Sequence, residues 1–120
     1  MNRVTSKDGT SIAYDRQGSG AAVILVGRGL VDPATGRAGR WGNAPLATQL
    51  ATQFSVYNYD RRGRGDSGDT PPYAVERELE DLHALIAQAD GSAHLYGVSS
   101  GGALALEAAA AGVAVDRLAV

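Results

Sequence analysis

The sequence contains no cysteine. That excludes disulfides, thiolate metal sites and a cysteine nucleophile, and it leaves the redox compartment unmarked. Lys7 is the only lysine, the other basic side chains being arginines, and the formal net charge is −2. Such a balance gives neither nucleic acid nor an anionic membrane any electrostatic hold, so neither is expected as a partner. No apolar run approaches the roughly 18 residues that a membrane span requires. The opening Met1-Asn2-Arg3-Val4-Thr5 lacks the apolar stretch of a secretory leader. Histidine is scarce, with only His83 and His94; two distant histidines without a neighbouring carboxylate cluster give no metal site. No cofactor is expected, and the default expectation is a soluble cytoplasmic protein. At 120 residues the chain is one domain or less.

What is present is the composition of a globular protein, 44% hydrophobic and 20% charged. Val4 to Ser6 and Ser11 to Asp15 alternate around Asp8-Gly9, which predicts a β-hairpin. Ala21 to Val26 is apolar on both faces, as a buried strand of a parallel sheet must be. Residues 27 to 42 are rich in Gly and Arg and predict a long loop. Asn43 then reads as an N-cap with Pro45 in the first turn, and Leu46, Leu50 and Phe54 carry helical spacing. Ser55 to Tyr59 is strand-like, and Asp60 to Pro72 forms a second Gly/Arg-rich loop. Val75, Leu79, Leu82 and Ile86 recur at helical spacing, with Glu76, Glu78, Glu80 and Asp81 on the other positions. His94-Leu95-Tyr96 leads into a Gly/Ser turn, Ala103 to Ala111 is strongly helix-forming, and Arg117 to Val120 begins another strand. Helices alternating with apolar strands in the order β-β-β-α-β-α-β-α-β make the class α/β.

The chemistry is concentrated in that turn. Gly97-Val98-Ser99-Ser100-Gly101 matches G-x-S-x-G between a strand and a helix. A serine on so sharp a turn takes an unfavourable backbone conformation, so its neighbours must be nearly free of side chains. The turn exposes the hydroxyl at the carboxyl end of the sheet, where the helix N-terminus favours negative charge. Ser99 is the expected nucleophile. Ser100 lies one residue into the helix, and its backbone N–H suits an oxyanion donor.

At this point the chain resembles the α/β-hydrolase superfamily, over essentially all 120 residues. The opening hairpin, Val23 to Val26, the stretch Tyr57 to Ser67 and the serine turn fall in the family order. The resemblance implies a serine hydrolase acting on an ester, thioester or amide through an acyl-enzyme. It also implies that the second oxyanion donor follows the third strand, after a His-Gly pair. The matching stretch here is Gly27-Arg28-Gly29-Leu30, which departs from that pair and points to Gly29 as donor, with Leu30 next. Asp60 and the Arg/Asp-rich loop after it have a structural role in the family, so Asp60 is not expected to be the triad acid.

Other signals weigh less. Gly63 to Gly68 fits G-x-G-x-x-G, but Asp69-Thr70-Pro71-Pro72 follows where a dinucleotide site needs a helix. Arg64-Gly65-Asp66 spells an adhesion tripeptide in a chain with no extracellular mark. Trp41 suits packing or a substrate entrance. His94 begins the strand that ends at Ser99, roughly 16 Å away at ~3.3 Å per residue, and His83 falls within a helix on a sheet face. Neither is a base for Ser99. In the family the acid and histidine follow later strands. The sequence therefore reads as the N-terminal part of a single α/β-hydrolase domain, residues 1–120, nearly inactive alone. The remaining half of the fold, or a self-partner at the open sheet edge, is the expected partner besides a small acyl substrate. A non-catalytic binding module and a cofactor-free haloperoxidase-like activity are the alternatives.

Overall fold

The alternation at the start of the chain becomes a hairpin: β1 (Asn2–Thr5) pairs antiparallel with β2 (Ser11–Gln17), Val4 opposite Ile12. The computed structural model describes residues 1–27 and 39–120. The apolar run forms β3 (Ala22–Val26); a 3-10 turn at Arg40–Asn43 leads directly into α1 (Ala44–Leu50). Then follow β4 (Ser55–Tyr59), α2 (Val75–Gln88), β5 (Ala93–Gly97), α3 (Ser100–Ala110) and β6 (Val115–Ala119). The expected α/β class and element order are those observed.

The six strands lie in one sheet in the order β1-β2-β4-β3-β5-β6. β2 meets β4 antiparallel, while β4, β3, β5 and β6 run parallel. From β3 the chain passes through α1 to β4 on one side; from β5 it passes through α3 to β6 on the other. The carboxyl ends of the neighbours β3 and β5 thus flank the point where the sheet reverses its winding. In open α/β sheets that crevice is where ligands bind.

Period-2 alternation divides the core. Ile24 and Val26 of β3, Tyr57 and Tyr59 of β4 and Leu95 of β5 pack under Leu82, Leu85 and Ile86 of α2 and Leu104, Ala105 and Ala108 of α3. Val23, Leu25 and Val56 face Ala47 of α1 on the opposite side, with Leu50, Phe54 and Tyr96 around them. Beside α1, an open apolar groove of about 510 Å³ is lined by residues including Val23, Phe54, His94 and Leu118.

Three local expectations need correction. α1 ends at Leu50, so Phe54 lies in the turn beyond it, where its N–H donates to the Leu50 carbonyl. It still packs on the α1 core, which is why its spacing resembled helix. Asn43 occupies the N-cap position but makes no capping hydrogen bond, because the 3-10 turn already supplies the entry. β6 starts earlier than expected, at Val115. Among the described residues, no helix is long and apolar enough to cross a membrane.

Candidate active site

Ser99 is exposed between the last residue of β5 and the first of α3. Its backbone lies at φ 55°, ψ −120°, outside the regions an L-residue occupies freely; such a conformation costs about 1–3 kcal/mol and persists only where the surroundings enforce it. The other described non-glycine residue at positive φ, Asp90 (φ 67°), sits in the Asp90-Gly91 turn after α2, where Asp is tolerated. Ser99 is therefore the unusual one.

The glycines on either side show what enforces it. A Cβ on Gly97 would stand 2.6 Å from the Gly101 carbonyl oxygen and 2.6 Å from the Gly102 Cα. A Cβ on Gly101 would run into the Val26 carbonyl oxygen and stand 2.6 Å from that of Gly27. Real Cβ atoms do not come so close, so β5, the first turn of α3 and the end of β3 meet backbone to backbone. The Val98 N–H continues the strand pairing by donating to the Val26 carbonyl at 3.2 Å, and the Gly101 N–H closes the turn on the Val98 carbonyl at 2.9 Å. Ser99 is thus held over the carboxyl end of β3, at the N-terminus of α3.

A guanidinium lies beneath this junction. Arg61, just after β4, forms a bidentate pair with Glu78 of α2, Nε to Oε1 and Nη2 to Oε2, both at 2.7 Å. The Tyr73 hydroxyl donates to the same Oε2 at 2.6 Å. The remaining nitrogen, Nη1, donates to Ser100 Oγ at 3.0 Å and to the Gly27 carbonyl at 3.2 Å. Burial alone would push the Glu78 carboxyl up, but hydrogen bonds from Arg61 and Tyr73 outweigh it and hold it below its ordinary value. The bonds to Glu78 likewise raise Arg61 against the effect of burial.

Asp60 is fully buried, and its carboxylate accepts from the Arg40 guanidinium, the Arg40 N–H and the Asp66 N–H at 2.8 Å. Both oxygens are engaged, as a structural role requires. Ser67 extends the same frame, donating to the Asp60 carbonyl at 2.6 Å and accepting from the Ala13 N–H at 2.9 Å. Arg40 also stacks over the Trp41 ring, 4.7 Å from its centre. Arg62 pairs with Asp81 at 2.7 Å and with Asp8 at 2.8 Å. Residues 62 to 66 form turns and bends, and α2 opens only at Val75, so the glycine pattern there is no dinucleotide fingerprint.

The histidines lie elsewhere. His94 pairs with Val23 at the amino end of β5 and packs edge-on against Phe54, on the α1 face. His83 is exposed on α2 and borders a shallow pocket with Lys7 and Glu80. Among the described residues, no group of three or more His, Cys, Asp or Glu side chains could hold a metal. Ser100 opens α3 as expected, whereas Gly29, Leu30 and Arg28 lie outside the described residues. The Arg61–Glu78 pair is not apparent from periodicity, which set Glu78 and Asp81 on the polar positions of α2; each is only 1% exposed. A usable signal was present: adjacent arginines one residue beyond a buried strand, and two acids three residues apart on the next helix.

The model of the alpha/beta hydrolase family matches residues 12–119. Among solved structures, the chain is 56% identical to an alpha/beta hydrolase from Sphaerobacter thermophilus, covering 98% of this chain and 43% of that one, with a TM-score of 0.88. It is 27% identical to a thermophilic esterase from Thermogutta terrifontis, covering 98% and 43%, with a TM-score of 0.81. It is 30% identical to a bottromycin epimerase, covering 98% and 46%, with a TM-score of 0.78. The chain thus spans under half the length of these relatives. No curated protein sequence matches it.

Proposed function

The chain belongs to the alpha/beta hydrolase family, and on that premise we propose that it carries the nucleophile of a serine hydrolase acting on an ester, thioester or amide. The observation behind this reading is the strained Ser99 conformation, φ 55° at the head of α3, beside the sheet's winding reversal. Strain of that kind needs a reason to persist, and an exposed nucleophile is one.

In the proposed reaction, Ser99 Oγ attacks the acyl carbon while a base takes its proton. The carbonyl oxygen becomes an oxyanion, received by backbone N–H groups of Ser100 and Gly29. The tetrahedral species expels the alcohol, thiol or amine with a returned proton, and water then releases the acid from the acyl-enzyme. A serine hydroxyl is a weak nucleophile without a base, and His83 and His94 both stand away from Ser99. The acid and histidine are therefore assigned to protein outside these 120 residues, packed on edge strand β6 and the groove beside α1. A second copy of the chain at that edge is the alternative partner.

The test fuses residues 1–120 to the downstream portion of the Sphaerobacter thermophilus hydrolase, giving an assembled enzyme. Turnover of a p-nitrophenyl ester by the fusion, abolished by Ser99→Ala, is expected. The 30% identity to an epimerase supports one second reading, non-hydrolytic chemistry at the same turn. A folded fusion with no ester turnover would favour it.

A further inference from the structure

Arg61 takes no part in the reaction just described, yet its side chain bonds both Ser100, which follows Ser99, and the Gly27 carbonyl, which follows β3. Two of its nitrogens are fixed by Glu78, at 2.7 Å each, and the third spans Ser100 Oγ and the Gly27 carbonyl. Arg61 and Glu78 are 8% and 1% exposed, so solvent does not compete strongly for the two bonds between them. The geometry matters because Ser100 follows Ser99, and Gly27 follows Val26, the last residue of β3. A guanidinium is planar, and its donors keep fixed relative directions. Once Glu78 sets its plane, Nη1 fixes Ser100 and Gly27 relative to each other.

We propose that Arg61 is a positioning residue: clamped by Glu78 of α2, it sets the separation between the first residue of α3 and the end of β3, and hence where the nucleophile and the Ser100 N–H stand relative to the end of that strand. The proposal rests on the reading of Ser99 as nucleophile. The glycine contacts are repulsive walls and set only a lower limit on the separation. The Val98 N–H bond to the Val26 carbonyl draws the two backbones together, and the Arg61 bonds add a side-chain tie further along each segment, at Ser100 and Gly27. A displacement of about 1 Å at a reacting centre can cost on the order of 10²-fold in rate, whereas Arg61, being buried, presents little surface to a substrate.

The test uses the assembled enzyme and two variants. Arg61→Ala would strand a buried carboxylate, so the pair is replaced together, Arg61→Met with Glu78→Leu, an exchange that buried ion pairs often tolerate without loss of stability. Ser100→Ala keeps the backbone N–H and removes the Oγ that accepts from Arg61. The readouts are the melting midpoint, kcat and KM for a p-nitrophenyl ester, and the rate of phosphonate labelling at Ser99. The double variant is expected to keep its melting midpoint and to hold KM within about threefold, while kcat and labelling fall about 10²-fold together. Ser100→Ala is expected to lower both rates about tenfold, and it carries the test if the double variant does not fold. Wild-type labelling rates in a folded double variant, or in Ser100→Ala if the double variant is unfolded, would overturn the clamp while leaving Ser99 as nucleophile. No labelling of Ser99 in the unsubstituted enzyme would overturn the underlying reading and the clamp with it.

Discussion

Gly101 and Val26 approach so closely that a single Cβ on Gly101 would collide with the Val26 carbonyl oxygen. Gly102, one residue on, differs: its Cβ would meet the Gly97 carbonyl and the Val120 side chain at 3.5 Å, an ordinary contact. Adjacent glycines in one helix turn should therefore respond oppositely to the same change. In the assembled enzyme, Gly101→Ala should destabilise at or beyond the upper end of the about 1–3 kcal/mol typical of overpacking. Gly102→Ala should be neutral or gain up to about 1 kcal/mol of helix propensity. Chemical denaturation of both variants checks the pair.

Acid should weaken the frame through Glu78. Its carboxyl is held below its ordinary value in the fold, so the unfolded chain takes up the proton first as pH falls. The contribution of Glu78 is complete above the unfolded value near 4.5 and is lost progressively below it. Melting midpoints measured from pH 7 downward should fall below about pH 4.5, and Glu78→Gln should flatten that decline while lowering the plateau.

Arg62 offers a stability test away from the site. It and Asp81 are each 1% exposed and pair at 2.7 Å. Arg62→Ala would leave Asp81 buried without its main partner, so a loss of about 3–5 kcal/mol is expected. Replacing both by apolar residues of similar volume should recover most of it.

The serine turn was legible in the sequence because its signature is local: the G-x-S-x-G spacing stands between a strand and a helix, and Gly97 is required by contacts with Gly101 and Gly102, although Gly101 is required by the distant backbone of Val26 and Gly27. β3 was legible because both its faces are buried. The Arg61–Glu78 and Arg62–Asp81 pairs were not, since each joins residues 17 or 19 apart and hydrophobic periodicity treats any charge as solvated. The end of α1 was misread for a related reason: Phe54 packs on the same core from a turn and so mimics another helical repeat. Gly29 was inferred from family order alone.

That inference makes its own prediction. If the Gly29 N–H is an oxyanion donor, Gly29→Pro should lower kcat in the assembled enzyme by ~10²–10³-fold, the cost of one lost donor. Arg28→Gly should cost much less, because a backbone N–H acts whatever side chain precedes it. Steady-state kinetics decides, and a larger loss from Arg28→Gly would transfer the role to the guanidinium.

The central claim is that Ser99 is the nucleophile, and covalent labelling tests it most directly. The assembled enzyme is treated with a fluorophosphonate, digested and mapped by tandem mass spectrometry, alongside Ser99→Ala and Ser100→Ala. The account predicts one adduct on Ser99, absent from Ser99→Ala and retained, more slowly formed, in Ser100→Ala. An adduct on Ser100, or labelling undiminished in Ser99→Ala, would contradict it.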